Sequence, residues 1–184
     1  FLSFEIINIL FLRGEFIPLD ALKTSYSLKA FCFGLVAFMA IKILNVGFFA
    51  KQDPKTPMYV ALASLIINVI LNWFFAFQLG LGHVGLAIGS VFAAIISFFV
   101  LLIFLIKRSI LILENKSIIF LIKILFSSLC LLAALISFQS IYPNWVDTNL
   151  TMQLIYLVLN ISIGSIIYFG LMFVLGLRIS FFKN

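Results

Sequence analysis

Acidic residues are scarce in this chain. Its 184 residues hold six Asp and Glu, with none between Asp53 and Glu114. Paired carboxylates for general acid–base work inside the apolar stretches are therefore excluded. There is one histidine, His83, with no Cys, His or carboxylate at ligand spacing, which reads as an exposed loop residue and not as a metal ligand or proton carrier. The two cysteines, Cys32 and Cys130, fall in different apolar stretches without CxxC spacing, so neither a disulfide framework nor a metal site is expected and buried free thiols are the default. No Ser-His-Asp set and no Walker-type phosphate loop occur. The sequence thus predicts a non-enzyme that needs no cofactor and no metal. Residues 80–85, GLGHVG, match GxGxxG, but no strand precedes them and no acid follows about 20 residues on. The glycines are expected to serve a tight turn between two helices. No signal-peptide pattern precedes the first long apolar run, and the beginning at Phe1 reads as cut.

What is abundant is apolar. Hydrophobic residues make up 65% of the chain and charged residues 10%, with a mean hydropathy of +1.29. That leaves too little polar surface to cover a water-soluble globule. Five apolar runs, at 24–50, 57–79, 83–107, 117–142 and 151–177, each approach or exceed the ~20 residues that cross a bilayer as a helix. They show no period-2 alternation and are far longer than the ~10 residues of a barrel strand. Hydrocarbon offers no partner for a backbone N–H or C=O, so helices are the reading that satisfies them. The expected fold class is an all-α polytopic membrane protein with five transmembrane helices.

The positive charge is distributed as a topology signal. Lys51 and Lys55 follow the first run, Lys107, Arg108 and Lys116 the third, and Arg178 and Lys183 the fifth; connectors 80–82 and 143–150 carry no Lys or Arg. Basic connectors face the cytoplasm, which puts the C-terminus inside and residues 1–22 outside. The net charge of +6 is accounted for by this bookkeeping, and no nucleic-acid partner is expected. Residues 1–16 look like the tail of an earlier apolar segment ending in a turn at Arg13-Gly14, and Pro18 with Asp20 marks the start of the next helix near Asp20. With an odd number of spans and no internal repeat, the chain is expected to be the C-terminal part of a larger membrane protein.

Few polar residues stand within the runs. Lys42 lies eight residues from the end of the first run, about 12 Å along a helix. It either faces a hydrated path or snorkels to the interface. Lys29 and Lys123 lie nearer run ends, where snorkelling suffices. Ser64, Asn68 and Asn72 recur at i, i+4, i+8 and share one helix face. Such a stripe either bonds a neighbouring helix or lines a substrate path. Gly85, Gly89 and Ala93 form a small-xxx-small series for close helix packing.

Four junctions carry a resemblance. LFLRGEF at 10–16, KILNVGFFAKQDPKTP at 42–57, NVILN at 68–72 and LGHVGLAIGS at 81–90 follow one another as in the MurJ/MviN family of bacterial lipid II flippases. The likeness covers most of residues 1–107 and weakens to hydropathy beyond. The family's usual Ala-Pro pair is Asn45-Val46 here, its usual Tyr is Phe49, and Pro54 sits within the connector. The resemblance implies the multidrug/oligosaccharidyl-lipid/polysaccharide exporter fold of 14 helices, with this chain as its last five. Residues 1–22 would end a preceding segment, 23–107 would supply three helices of the second half, and 108–184 the two additional helices, which in the family form a groove for the polyprenyl tail. It also implies the inner membrane, alternating access without bond breaking, and as partners a lipid-linked peptidoglycan precursor, the phospholipid bilayer and the missing N-terminal helices. Lys42 matches a family position and is carried over as a cavity residue. The alternatives are another exporter of the superfamily, for polysaccharide lipid or drug and cation, or a non-transporting scaffold of the cell-wall machinery.

Overall fold

The structure, a computed structural model, describes residues 2–11, 17–108, 115–141 and 150–175. All regular elements among them are helical: α1 (Ser3–Phe11), α2 (Pro18–Ala50), α3 (Lys55–Trp73) with a π-helical turn at Phe74–Gln78, α4 (Gly82–Lys107), α5 (Asn115–Ile141) and α6 (Leu150–Val174). The expected turn at Arg13-Gly14, the connector 143–149 and the tail with Arg178 and Lys183 lie outside the described residues. Four helical stretches are long and apolar enough to cross a membrane, Pro18–Ala50, Lys55–Gln78, Gly82–Lys107 and Thr151–Val174, and Ile122–Ser137 is the apolar stretch found in α5. The chain divides into two compact units, Phe11–Ile112 on one hand and Phe1–Leu10 with Leu113–Asn184 on the other.

In the first unit α2 starts at Pro18, two residues before the expected site. Proline lacks the N–H that a first turn leaves unbonded, and Asp20 sits in that turn at the positive end of the helix dipole. The helix then runs unbroken through Asn45-Val46 to Ala50. It ends in a Schellman arrangement. The Gln52 N–H bonds the Phe49 carbonyl at 2.9 Å and the Asp53 N–H the Phe48 carbonyl at 3.0 Å, with Gln52 in the left-handed region at φ 58°. Asp53 turns directly into α3: its Oδ1 accepts the Thr56 N–H at 3.2 Å and its Oδ2 the Thr56 hydroxyl at 2.7 Å. Pro54 thus sits in the first turn, where its missing N–H costs nothing.

Helix α4 is the spine of this unit. It packs along both α2 and α3, which hardly touch each other. Leu44 and Phe48 of α2, Val60 of α3 and Leu101 and Leu105 of α4 form the buried cluster. Lipid is as apolar as these side chains, so their burial gains dispersion and close fit, and not the ~1.5–3 kcal/mol per side chain that transfer from water would give. Close fit needs small residues. Gly34 and Ala37 on α2 are buried, and a Cβ on Gly34 would lie 2.6 Å from Val91 Cγ2. Large apolar side chains point outward, Phe33 at 83% exposure and Ile43 at 72%, as suits a surface solvated by lipid or further helices.

The exit of α3 is wider than an α-helix. The Leu79 N–H reaches back five residues to the Phe74 carbonyl at 3.1 Å, and the Leu81 N–H to the Phe75 carbonyl at 3.3 Å. Gly80 and Gly82, with φ of 64° and 55°, make the turn into α4, as the sequence led us to expect of the GLGHVG glycines. Gly85 does a different job, being buried against the π turn.

In the second unit α5 packs on α6. Gly164 admits Leu131, whose Cδ1 would be 3.2 Å from an added Cβ. Ser127 is wholly buried and bonds the Lys123 carbonyl at 2.9 Å. Lys123 does more than snorkel: its Nζ donates to the Leu175 carbonyl at 2.6 Å, satisfying an acceptor that the end of α6 leaves free.

Candidate functional site

Because α2 and α3 are both held by α4 but not by each other, a cleft remains between them. It encloses about 410 Å³. Its polar lining comes from all three helices: Asn45 of α2, Ser64 and Asn68 of α3, and Ser97 of α4, set among Ile41, Pro57 and Leu101. Ser97 spends its hydroxyl proton on the Ala93 carbonyl at 2.8 Å, which leaves its oxygen able to accept. The Asn45 side-chain oxygen is buried without a hydrogen-bond partner. Asn45 and Ser97 are the residues that sequence reasoning missed. Asn45 stands in the apolar run that also holds Lys42, Ser97 shares its run with Ser90, and only the packing of α2 and α4 on α3 brings them beside Ser64 and Asn68.

The third member of the Ser64 stripe has another place. Asn72 donates from Nδ2 to Asn68 Oδ1 at 2.7 Å, while its own Oδ1 is buried without a partner where a Cβ on Gly89 would meet it. Gly85, Gly89 and Ala93 are all buried on α4. A Cβ on Gly85 would lie 2.6 Å from the Phe75 carbonyl carbon and 2.7 Å from the Ala76 nitrogen. Lys42 is not among the residues that line the cleft. It lies one position past Ile41, on the exposed α2 face that carries Met39, Ile43 and Val46. His83 is exposed at the start of α4, and no metal-ligating group of three or more His, Cys, Asp or Glu occurs among the described residues.

One end of the unit is latched. Arg108 closes α4 and donates from Nη1 to Asp53 Oδ2, which ties the α2–α3 junction to the end of α4. The Thr56 hydroxyl bond holds the Asp53 carboxyl below its usual range; burial opposes this, and the Thr56 N–H and Arg108 reinforce it. An Asp-Pro-x-Thr string signals the cap, but nothing local signals an arginine 55 positions away. Unfolded, the carboxyl titrates near ~3.9, and folded, below that. The latch is at full strength above about pH 4 and is lost as pH falls through the lower folded value. Full-length protein in detergent is expected to lose thermal stability below about pH 4 by a component that Asp53→Asn, already less stable at pH 7, does not show.

A second concavity, of about 340 Å³, lies in the other unit, between α5 and α6 with Leu2 at its edge. Its lining is apolar, with Leu131, Leu135, Ile161 and Phe169, apart from Asn160, Ser165 and Tyr168. Asn160 is buried and donates from Nδ2 to the Tyr156 carbonyl at 3.0 Å.

A family model described as lipid II flippase MurJ matches residues 1–157, well past the region where the junction motifs end. A probable lipid II flippase MurJ of Haemophilus influenzae is 33% identical over 169 residues, 92% of this chain and 32% of that protein. One from Vibrio cholerae is 30% identical over 182 residues, 99% of this chain and 34% of that protein. The lipid II flippase MurJ of Burkholderia cenocepacia is 28% identical over 179 residues, 95% of this chain and 34% of that protein. The chain spans about a third of the length of the curated relatives it matches. With a family model covering most of its length and helices long enough to cross a bilayer, this multi-pass membrane chain belongs to the MurJ family of lipid II flippases.

Proposed function

We propose that these helices are part of a lipid II flippase of the bacterial inner membrane, with the Asp53–Arg108 end facing the cytoplasm together with the C-terminus. The observation that carries the reading is the cleft between α2 and α3, where four polar side chains from three predominantly apolar helices converge. Such residues are costly against lipid and are kept where water or a polar ligand reaches them. Translocating a disaccharide-peptide diphosphate requires a hydrated route for the anionic head and an apolar one for the tail, with two halves of the protein opening alternately to either side. The cleft, and Lys42 on the outer face of α2, suit the first. The apolar groove between α5 and α6 suits the polyprenyl tail. No bond is made or broken, so the chain acts in transport and not in catalysis.

Complementation tests this. The full reading frame that carries these residues is expected to restore growth to a bacterium depleted of its own lipid II flippase, and failure with normal membrane levels overturns the proposal. In that background Lys42→Ala is expected to lose growth at normal expression. Unimpaired growth would assign Lys42 to snorkelling.

A further inference from the structure

Val60 and Ser64 of α3 and Ser97 of α4 form a seam with a concavity on each side. The polar cleft lies beside Ala61, Leu65 and Asn68. Past the seam, beside Tyr59, Ala63 and Ile67, runs a second groove of about 230 Å³ that is almost wholly apolar, walled on α4 by Ile96, Val100 and Phe104. Both walls end in cations. Lys55 precedes Tyr59 by one helical turn, and Lys107 and Arg108 follow Phe104 by one turn. Arg108 is engaged by Asp53. Lys55 and Lys107 are exposed and form no ion pair among the described residues. Tyr59, 64% exposed, stands between the apolar trough and these charges, where an amphipathic ring suits a membrane interface.

We propose that this groove seats one anionic phospholipid of the phosphatidylglycerol class, an acyl chain lying against Ala63 and Val100 and the phosphate meeting Lys55 and Lys107. Charge complementarity selects the occupant. An apolar trough alone takes any acyl chain, whereas two unpaired ammonium groups at its mouth favour a lipid with net negative charge over a zwitterionic one. Basic pockets between spanning helices at a membrane surface recognise headgroups in this way. The lipid would fill the gap left by the small side chains at the seam and bind the α3 and α4 ends beside the Asp53–Arg108 latch.

The experiment reads binding without transport, so its outcome is separable from that of complementation. Delipidated full-length protein in detergent is titrated with dioleoyl-phosphatidylglycerol or dioleoyl-phosphatidylcholine, and bound lipid is counted by native mass spectrometry. Phosphatidylglycerol is expected to be retained in preference, and Lys55→Gln with Lys107→Gln to weaken that retention about thirty-fold. Equal retention of the two lipids, or an undiminished preference in the double variant, overturns the proposal. A second arm needs no change of charge. Ala63→Cys carrying a benzophenone maleimide, in a background with Cys32→Ser, Cys130→Ser and every other native cysteine removed, irradiated in phosphatidylglycerol vesicles, is expected to cross-link lipid. A cross-link to another helix of the same polypeptide shows the groove to be covered by protein and overturns it as well.

Discussion

Gly85→Leu is expected to yield no folded protein from the membrane, and Gly85→Ala to lower stability by about 1–2 kcal/mol net. The atoms an added Cβ would meet are the carbonyl carbon of Phe75 and the backbone nitrogen of Ala76, at 2.6 and 2.7 Å. A crowding side chain can rotate aside, but backbone cannot, so α4 must leave the π turn. Overpacking of this kind costs about 1–3 kcal/mol and more for larger groups. Alanine in a helix interior regains up to about 1 kcal/mol in propensity, which offsets part of the loss and none of the leucine's further bulk. Gly170 supplies the control, since nothing lies within 4 Å of its added Cβ. Gly170→Ala is expected to be neutral or to stabilise by up to about 1 kcal/mol. The yield of monodisperse full-length protein extracted from the membrane checks Gly85→Leu, and heating the purified variants in detergent checks the two alanine changes. A Gly85→Leu protein with the thermal midpoint of the parent would show that α4 and the π turn are not in contact.

The spans were legible in the sequence because hydrocarbon permits so little else: a long run of Leu, Ile and Phe with no water to satisfy its backbone has to be helical. Pro18 and Asp20 marked a helix start within two residues for an equally local reason. Gly80 and Gly82 announced the turn. The cleft was legible only in part. Helical period puts Ser64 and Asn68 on one face but says nothing of which helix they meet, and no pattern distinguishes Asn45 or Ser97 from an isolated polar residue. Asp53 and Arg108 pair across two helices, a separation over which periodicity carries no information. Nor does any side-chain pattern announce a π turn, which is defined by a backbone bond to the fifth residue back. The junction motifs pointed to the family through residue 107, and the match extends to residue 157. Beyond 107 the helices offer little but hydropathy to the eye, since side chains facing lipid are interchangeable as long as they stay apolar.

Asn68→Leu is expected to destabilise the full-length protein by about 1–2 kcal/mol, and adding Asn72→Leu to restore most of that loss. The single change takes away the acceptor of the 2.7 Å bond from Asn72 Nδ2, leaving an amide whose oxygen is already unpartnered. Both amides stand on α3 one turn apart, where a side-chain bond contributes about 0.2–0.5 kcal/mol, and stranding the half-buried donor adds about 1–3 kcal/mol at the upper end. Replacing both amides with leucine removes donor and acceptor together, so the two losses should not add; a coupling of about 0.5–2 kcal/mol is expected from the double-mutant cycle in thermal unfolding. Growth separates the two roles that the stripe can have. Asn68 lines the cleft and Asn72 does not, so Asn72→Leu alone is expected to retain partial complementation. The stable double variant is expected to fail it, because leucine then stands where the polar head would pass. A double variant that folds and also supports growth would reduce the stripe to a contact between helices and remove the cleft from the transport path.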